Sequence, residues 1–288
     1  MTSALDDPDE IAAVFRGTVL DGLSIEEGLG DTWVVTGVDK SQLLPAWRAA
    51  RAATAQTGRW PVLAMVDGQW LDPEREQIEA LEHAARTVDP WAVHQWSGAD
   101  AHSLIEPDQL HLWLPDFLGQ DATQQARQDL RPPTTPVAVQ RWTWERLLAD
   151  PTALEQAWPH TAPYVGTRCW FTPLEGADVV LLPTPVQWLA PAWFDYWGAI
   201  SLGNRGGDPG RDGLAAAIRQ WEQQWGAELV ASWGTMLQFV VSRQPALGEQ
   251  AWQLALQHLA VGGSLETPAW KLALALTRSD AWLLHDRP

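Results

Sequence analysis

Cysteine is nearly absent. The 288-residue sequence holds one, Cys169, which excludes an intrachain disulfide and any metal site built from several thiolates. Lysine is almost as scarce, with Lys40 and Lys271 the two examples and arginine supplying the other basic residues. Positive charge as a whole is short: 19 basic residues stand against 36 acidic ones, a formal net charge of −17. Such a field repels phosphate, so nucleic acid and anionic membrane are not expected as partners, whereas a basic protein would be drawn in. The charge reads as spread along the chain, without an acidic tail. No apolar run nears the roughly 18 residues of a membrane span. The opening MTSALDDPDEIAAVF is acidic where a signal peptide is basic and then apolar, so a cytoplasmic location is expected.

Tryptophan, by contrast, is abundant, its 20 copies outnumbering five Phe and two Tyr. Trp47, Trp221, Trp252 and Trp270 lie on periodic helical segments and read as core, each indole N–H finding a local acceptor. Trp91, Trp96 and Trp113 fall among His, Asp and Pro without a clean period. There an exposed aromatic could anchor a binding surface, with packing into the core as the competing reading.

Along the chain, residues 32–66 read as strand, helix, strand, a βαβ unit whose helix starts near Ser41 and stops at Gly58. Its first strand is followed by no Gly-rich loop, so nucleotide binding of the Rossmann or P-loop type has no support. Residues 73–87 predict a charged helix with Ile78 and Leu81 on one face. LHLWL (110–114) is a short apolar run that reads as a strand between loops. The polar stretch 119–136, ending in Pro132, Pro133 and Pro136, reads as a linker. It divides the chain into an N-terminal α/β region (1–130) and a C-terminal domain (137–288), with a helix interrupted at Pro151 opening the second. VVLLP (179–183) is a buried strand, and PVQWLAPAWFDYW an apolar helix or a pair of helical turns broken at Pro191. Asp212 caps a helix carrying Leu214, Ile218, Trp221 and Trp225 along one face, and Gly226 ends it. AELVAS and TMLQFVVSR form a hairpin. Helices at 248–260 and 268–278 and a last strand, AWLLH, complete the chain.

Four clusters could carry chemistry. His83, His94, His102 and His111, with Asp100, Glu106, Asp108 and Asp116, are the densest set of metal-ligating types, but no spacing matches a metal motif, and loop histidines are the simpler reading. Cys169 beside Arg168 could be an activated thiol paired with His160 or His258, or a small buried hydrophobe. Gly203–Asp208, with Arg205 and Arg211, could receive an anion at a helix start, although Asp208 and Asp212 oppose one. His258, Arg243 and Asp286 lie on adjacent elements and could converge at one end of a sheet, as a polar site or with Arg243 and Asp286 as a structural ion pair. No Gly-x-Ser-x-Gly elbow occurs and no cofactor motif is present, so no cofactor is expected.

The segment from Trp188 to Asp286 resembles a bacterial family of domains of unknown function, number 4253 in its series. PAWFDYWG, LAAAIRQWEQQWGAELV, TMLQFVVSRQP, AWQLALQHL and AWLLHD carry the resemblance, with Trp221, Gly226, Ala227, Arg243 and Pro245 at the pattern's positions. A weaker likeness covers residues 46–65. Where members often have Glu-His followed by Cys-Pro-Asp, this chain has Gln257-His258 and VGGSLETP, so no role transfers to those positions. The resemblance implies an α+β fold and brings no activity.

These readings predict an α+β protein: a mainly antiparallel sheet packed against helices in the C-terminal domain, joined to a smaller α/β N-terminal part. For function, the expectation leans away from an enzyme and toward a protein-binding, immunity-like module. Its acidic surface would capture a basic protein, with Trp91, Trp96 and Trp113 or Arg243, His258 and Asp286 as contact residues. The alternative is an enzyme or a binder of small ligands or metal at the C-terminal polar site or the 83–111 histidines. The sequence leaves the oligomeric state open.

Overall fold

A computed structural model of the chain describes residues 4–65, 70–92, 104–174, 176–202 and 210–287. In order the elements are α1 (Pro8–Val14), β1 (Ile25–Glu27), β2 (Trp33–Val38), α2 (Leu43–Ala52), α3 (Thr54–Thr57), β3 (Trp60–Ala64), α4 (Arg75–Thr87), α5 (Gly119–Leu130), α6 (Pro136–Ala149), α7 (Pro151–Ala157), β4 (Ala177–Leu182), α8 (Arg211–Trp225), β5 (Ala227–Ser232), β6 (Met236–Val241), α9 (Glu249–Val261), α10 (Ala269–Leu276) and β7 (Ala281–His285). The strands form one sheet in the order β1-β2-β4-β3-β5-β6-β7, antiparallel at every junction except β3 with β5. The fold is α+β.

The β2–α2–β3 unit has its two strands parallel, as expected, but they are not neighbours. β4, more than 100 residues downstream, lies between them and pairs with both. The sheet therefore takes strands from both sides of the 130–137 boundary, and one hydrophobic cluster runs from Ile11 through Trp60 and Val180 to Leu284. A burial pattern without alternation in β3 and β4 follows from this central position, covered on both faces. Trp47, Trp221, Trp252 and Trp270 are core residues, none more than 5% exposed.

Two segments depart from expectation. LHLWL is not a strand but a 3-10 turn at Leu110–Leu112: Leu110 and Leu114 are buried while Leu112 is 72% exposed, the spacing of a helix face and not of a pleat. Residues 119–130 are helix α5 and not a linker. Its fully buried residues are two alanines one turn apart, Ala122 and Ala126; Ala126 belongs to a second cluster with Ile105, Leu110, Leu114 and Val139, against which Leu130 packs half-buried. A third difference is local: α8 is preceded by Gly210 as its N-cap, and Asp212 sits inside the first turn, where its charge complements the helix dipole. Gly226 ends α8 at φ +57, with a Cβ there falling on Ser242 Oγ.

Two buried polar side chains hold the sheet where backbone pairing fails. β3 and β5 share one registered pair, Leu63 with Ala231, so the earlier residues of β5 lack a partner strand on that side. Gln187 replaces it: its Oε1 accepts from Leu229 N at 2.7 Å and its Nε2 donates to Ala227 O at 2.9 Å. The Trp60 indole donates to Leu229 O at 3.2 Å. At the start of β3, the Arg59 guanidinium, 1% exposed, donates to Leu5 O and Asp31 O, both at 2.7 Å, and to Asp6 Oδ1 at 2.8 Å. It pins the N-terminal segment and the β1–β2 turn to the end of the sheet.

Candidate functional site

The negative charge is concentrated, contrary to the even spread expected. Residues 1–31 contain eight acidic residues and one basic residue, Arg16. Asp6, Asp7, Asp9, Glu10, Asp21, Glu26, Glu27 and Asp31 are all exposed. Trp193 joins this stretch to residues 71–73: its indole donates to Gly30 O at 2.8 Å and its carbonyl accepts from Leu71 N at 3.0 Å. The exposed carboxylates of Asp72, Glu74 and Glu76 follow, with Arg75 already paired to Glu79 at 2.8 Å. The outcome is an acidic face at the β1 edge and the start of α4. Leu29, 57% exposed, lies within it.

The expected aromatic anchors are not free. Trp91 is half-buried, donates to Gln220 Oε1 at 2.7 Å and stacks at a tilt on Trp221, 5.6 Å between ring centres. Trp113 is half-buried against the second cluster. Trp96 lies outside the described residues, as do His94, His102, Asp100 and Gly203–Asp208. His83 and His111 are exposed. Among the described residues no three of His, Cys, Asp and Glu come close enough to hold a metal ion. Arg211 is paired with Asp195 at 2.6 Å.

The C-terminal polar residues are sorted by the sheet. β6 and β7 are antiparallel, with Met236 opposite His285 and Val240 opposite Ala281. Asp286 thus returns to the start of β6, where its N–H donates to Thr235 O and its carboxylate accepts from Ser264 Oγ at 3.2 Å. Arg243 lies beyond the other end of β6. It donates to Gln223 O at 2.5 Å and to Glu222 O at 3.4 Å, satisfying carbonyls at the C-terminus of α8. A strand of six residues, about 20 Å, separates the two, so the ion pair and the three-residue site do not form.

His258 has different company. It projects from α9, 1% exposed, among Trp282, whose ring centre is 4.6 Å away, and Trp221, at 5.6 Å, both edge-on. Burial pulls its pKa down to about 3, so the imidazole is neutral at physiological pH. Among the described residues its Nε2 has no hydrogen-bond partner, nor has Trp282 Nε1. Both side chains line a cavity of about 100 Å³ beside β7, bounded also by Cys169, Leu272, Leu276 and His285. Of the two histidines considered for Cys169, His258 shares its cavity. His160 stacks instead on Phe117 at 5.1 Å. Burial raises the Cys169 pKa, which keeps the thiol protonated and argues against an activated nucleophile.

Residues 178–286 match a family model described as "Domain of unknown function (DUF4253)". The DUF4253 segment begins ten residues before the stretch singled out in the sequence and so takes in nearly all of β4, together with α8, β5, β6, α9, α10 and β7. It excludes β1, β2, β3 and Cys169. No curated protein and no solved structure matches the chain. His258, Trp282, Arg243 and Asp286 all belong to the DUF4253 segment, whereas every carboxylate of the acidic face lies outside it.

The sequence offered His258 as one of two possible neighbours of Cys169, 89 positions away, but Trp282 and His285 read only as parts of a terminal strand. The acidic face, in contrast, could have been counted from the first 31 residues.

Proposed function

We propose that the protein is a non-enzymatic protein-binding module whose acidic face docks a basic protein, in an immunity-like masking role in the bacterial cytoplasm. The observation that carries this reading is the gathering of exposed carboxylates at residues 6–31 and 72–76, with few cations among them. At physiological ionic strength fields reach about 8 Å, so adjacent carboxylates act together on an approaching surface, while isolated ones are screened. Clustered charge of one sign raises encounter rates by 10-fold to 1,000-fold, on the order of what rapid masking of a toxic partner demands. Leu29 gives the face an apolar contact to slow release, the part first assigned to Trp91, Trp96 and Trp113.

The test is affinity capture from native lysate at low and high salt, by the wild-type chain and by a variant carrying E26Q, E27Q, D31N, D72N and E76Q, with mass spectrometry of the retained proteins. The reading expects one basic protein held stoichiometrically by the wild type, released by salt and not held by the variant. Equal capture by both chains, or no basic protein, would refute it.

A further inference from the structure

The cavity beside His258 stands apart from the docking face and from any expectation built on Arg243. Its floor is apolar, with Leu272, Leu276, Ala281 and Trp282 in its lining, and among the described residues no arginine or lysine lines it. A charged ligand entering it would lose its hydration without gaining a counter-charge. Two buried polar atoms of lining residues, His258 Nε2 and Trp282 Nε1, nonetheless have no partner among the described residues. A buried polar group left unpaired is costly, and native interiors seldom leave one so. Two such atoms on one cavity mark a place where a ligand's polar end recovers what the protein alone does not.

Size and chemistry then narrow the class. An engineered apolar cavity of about 150 Å³ holds benzene, so about 100 Å³ holds a molecule of about four to five non-hydrogen atoms. That is far below the volume needed for a nucleotide or a sugar. The indole can only donate, and the neutral imidazole Nε2 donates or accepts according to tautomer. A hydroxyl does both, so it satisfies His258 in either tautomer and accepts from Trp282. A short alkyl chain matches the leucine-lined floor. We infer that this cavity is a binding site for a small uncharged molecule of the short-chain alcohol class, held through His258 Nε2 and Trp282 Nε1.

The probe is 1-butanol, with xenon as its purely apolar counterpart. The full chain is labelled with ¹⁵N-histidine, which gives signals from only seven residues, and His258 is assigned by its loss in His258→Phe. The inference expects a saturable shift of the His258 Nε2 resonance with a Kd of about millimolar, the order expected of so small a ligand. Xenon should enter the same cavity and be displaced by 1-butanol. In H258F the displacing concentration should rise about tenfold, the effect of one lost hydrogen bond. An unmoved His258 resonance throughout the titration overturns the inference, as does equal displacement in wild type and H258F. If H258F does not fold, the wild-type titration decides by itself, with assignment taken from His258→Gln.

Discussion

Replacing Gln187 by methionine keeps the length and bulk of the side chain and removes its amide. Two groups then lose their partners, the N–H of Leu229 and the carbonyl of Ala227, on residues that are 0% exposed. Each unsatisfied buried group costs roughly 1–3 kcal/mol. Water cannot reach the site without opening the β3–β5 junction, so a loss of about 3 kcal/mol is expected. A chain of this size loses roughly 2 °C of melting temperature per kcal/mol, which sets the expected drop near 6 °C. Differential scanning calorimetry of Q187M beside wild type measures it, and Gln253→Met on the exposed side of α9 serves as a control expected to stay within about 0.5 kcal/mol. A drop in Q187M of less than about 2 °C would show that the amide does not stand in for the missing strand.

Three further outcomes follow from the same geometry. Because the folded pKa of His258 lies near 3 and an unfolded histidine titrates near 6.5, the unfolded chain binds more protons between those values. The His258 contribution is therefore full well above pH 6.5 and lower by about 2 kcal/mol at pH 5, and denaturant melts should show stability falling toward acid more steeply in wild type than in H258F by that amount. Asp178, with its pKa raised by burial, opposes the trend equally in both chains and so cancels in the comparison. Arg59→Met frees the anchored N-terminal segment and should cost about 2–4 kcal/mol, with limited proteolysis cutting near residues 4–8 before the rest; simultaneous cleavage throughout would contradict the anchoring role. Arg243→Ala should cost about 0.5–1 kcal/mol through the end of α8, and combining it with Asp286→Asn should be additive within about 0.5 kcal/mol, since the two side chains do not meet.

How far the sequence could be read varies with the range of the forces involved. The α8–β5–β6 succession was legible because each signal is local: Leu214, Ile218 and Trp221 at helical spacing, Gly226 as the stop, and a short tight connection between two apolar strands. The βαβ unit was legible as segments but not as neighbours, since nothing near β2 or β3 records that β4 will fill the gap. α5 was missed because its buried face is two alanines on an otherwise polar turn sequence, and Leu110–Leu114 because a period of two and a helical period agree over so few residues. Gln187 did leave a trace, an amide in the apolar run PVQWLAPAW, where a polar side chain has to find partners. The pairing of Arg243 with Asp286 failed for a topological reason: antiparallel neighbours such as β6 and β7 bring opposite ends together, so closeness in strand order says nothing about which end a flanking residue occupies.

The acidic face is tested most directly by the rate at which the captured basic protein associates with purified wild-type chain and with the E26Q, E27Q, D31N, D72N and E76Q variant, followed by stopped-flow tryptophan fluorescence across a salt series. The account predicts that the variant associates at least about tenfold more slowly at low salt, with a dissociation rate little changed, and that the two association rates converge as salt is raised. Equal association rates at low salt would contradict it.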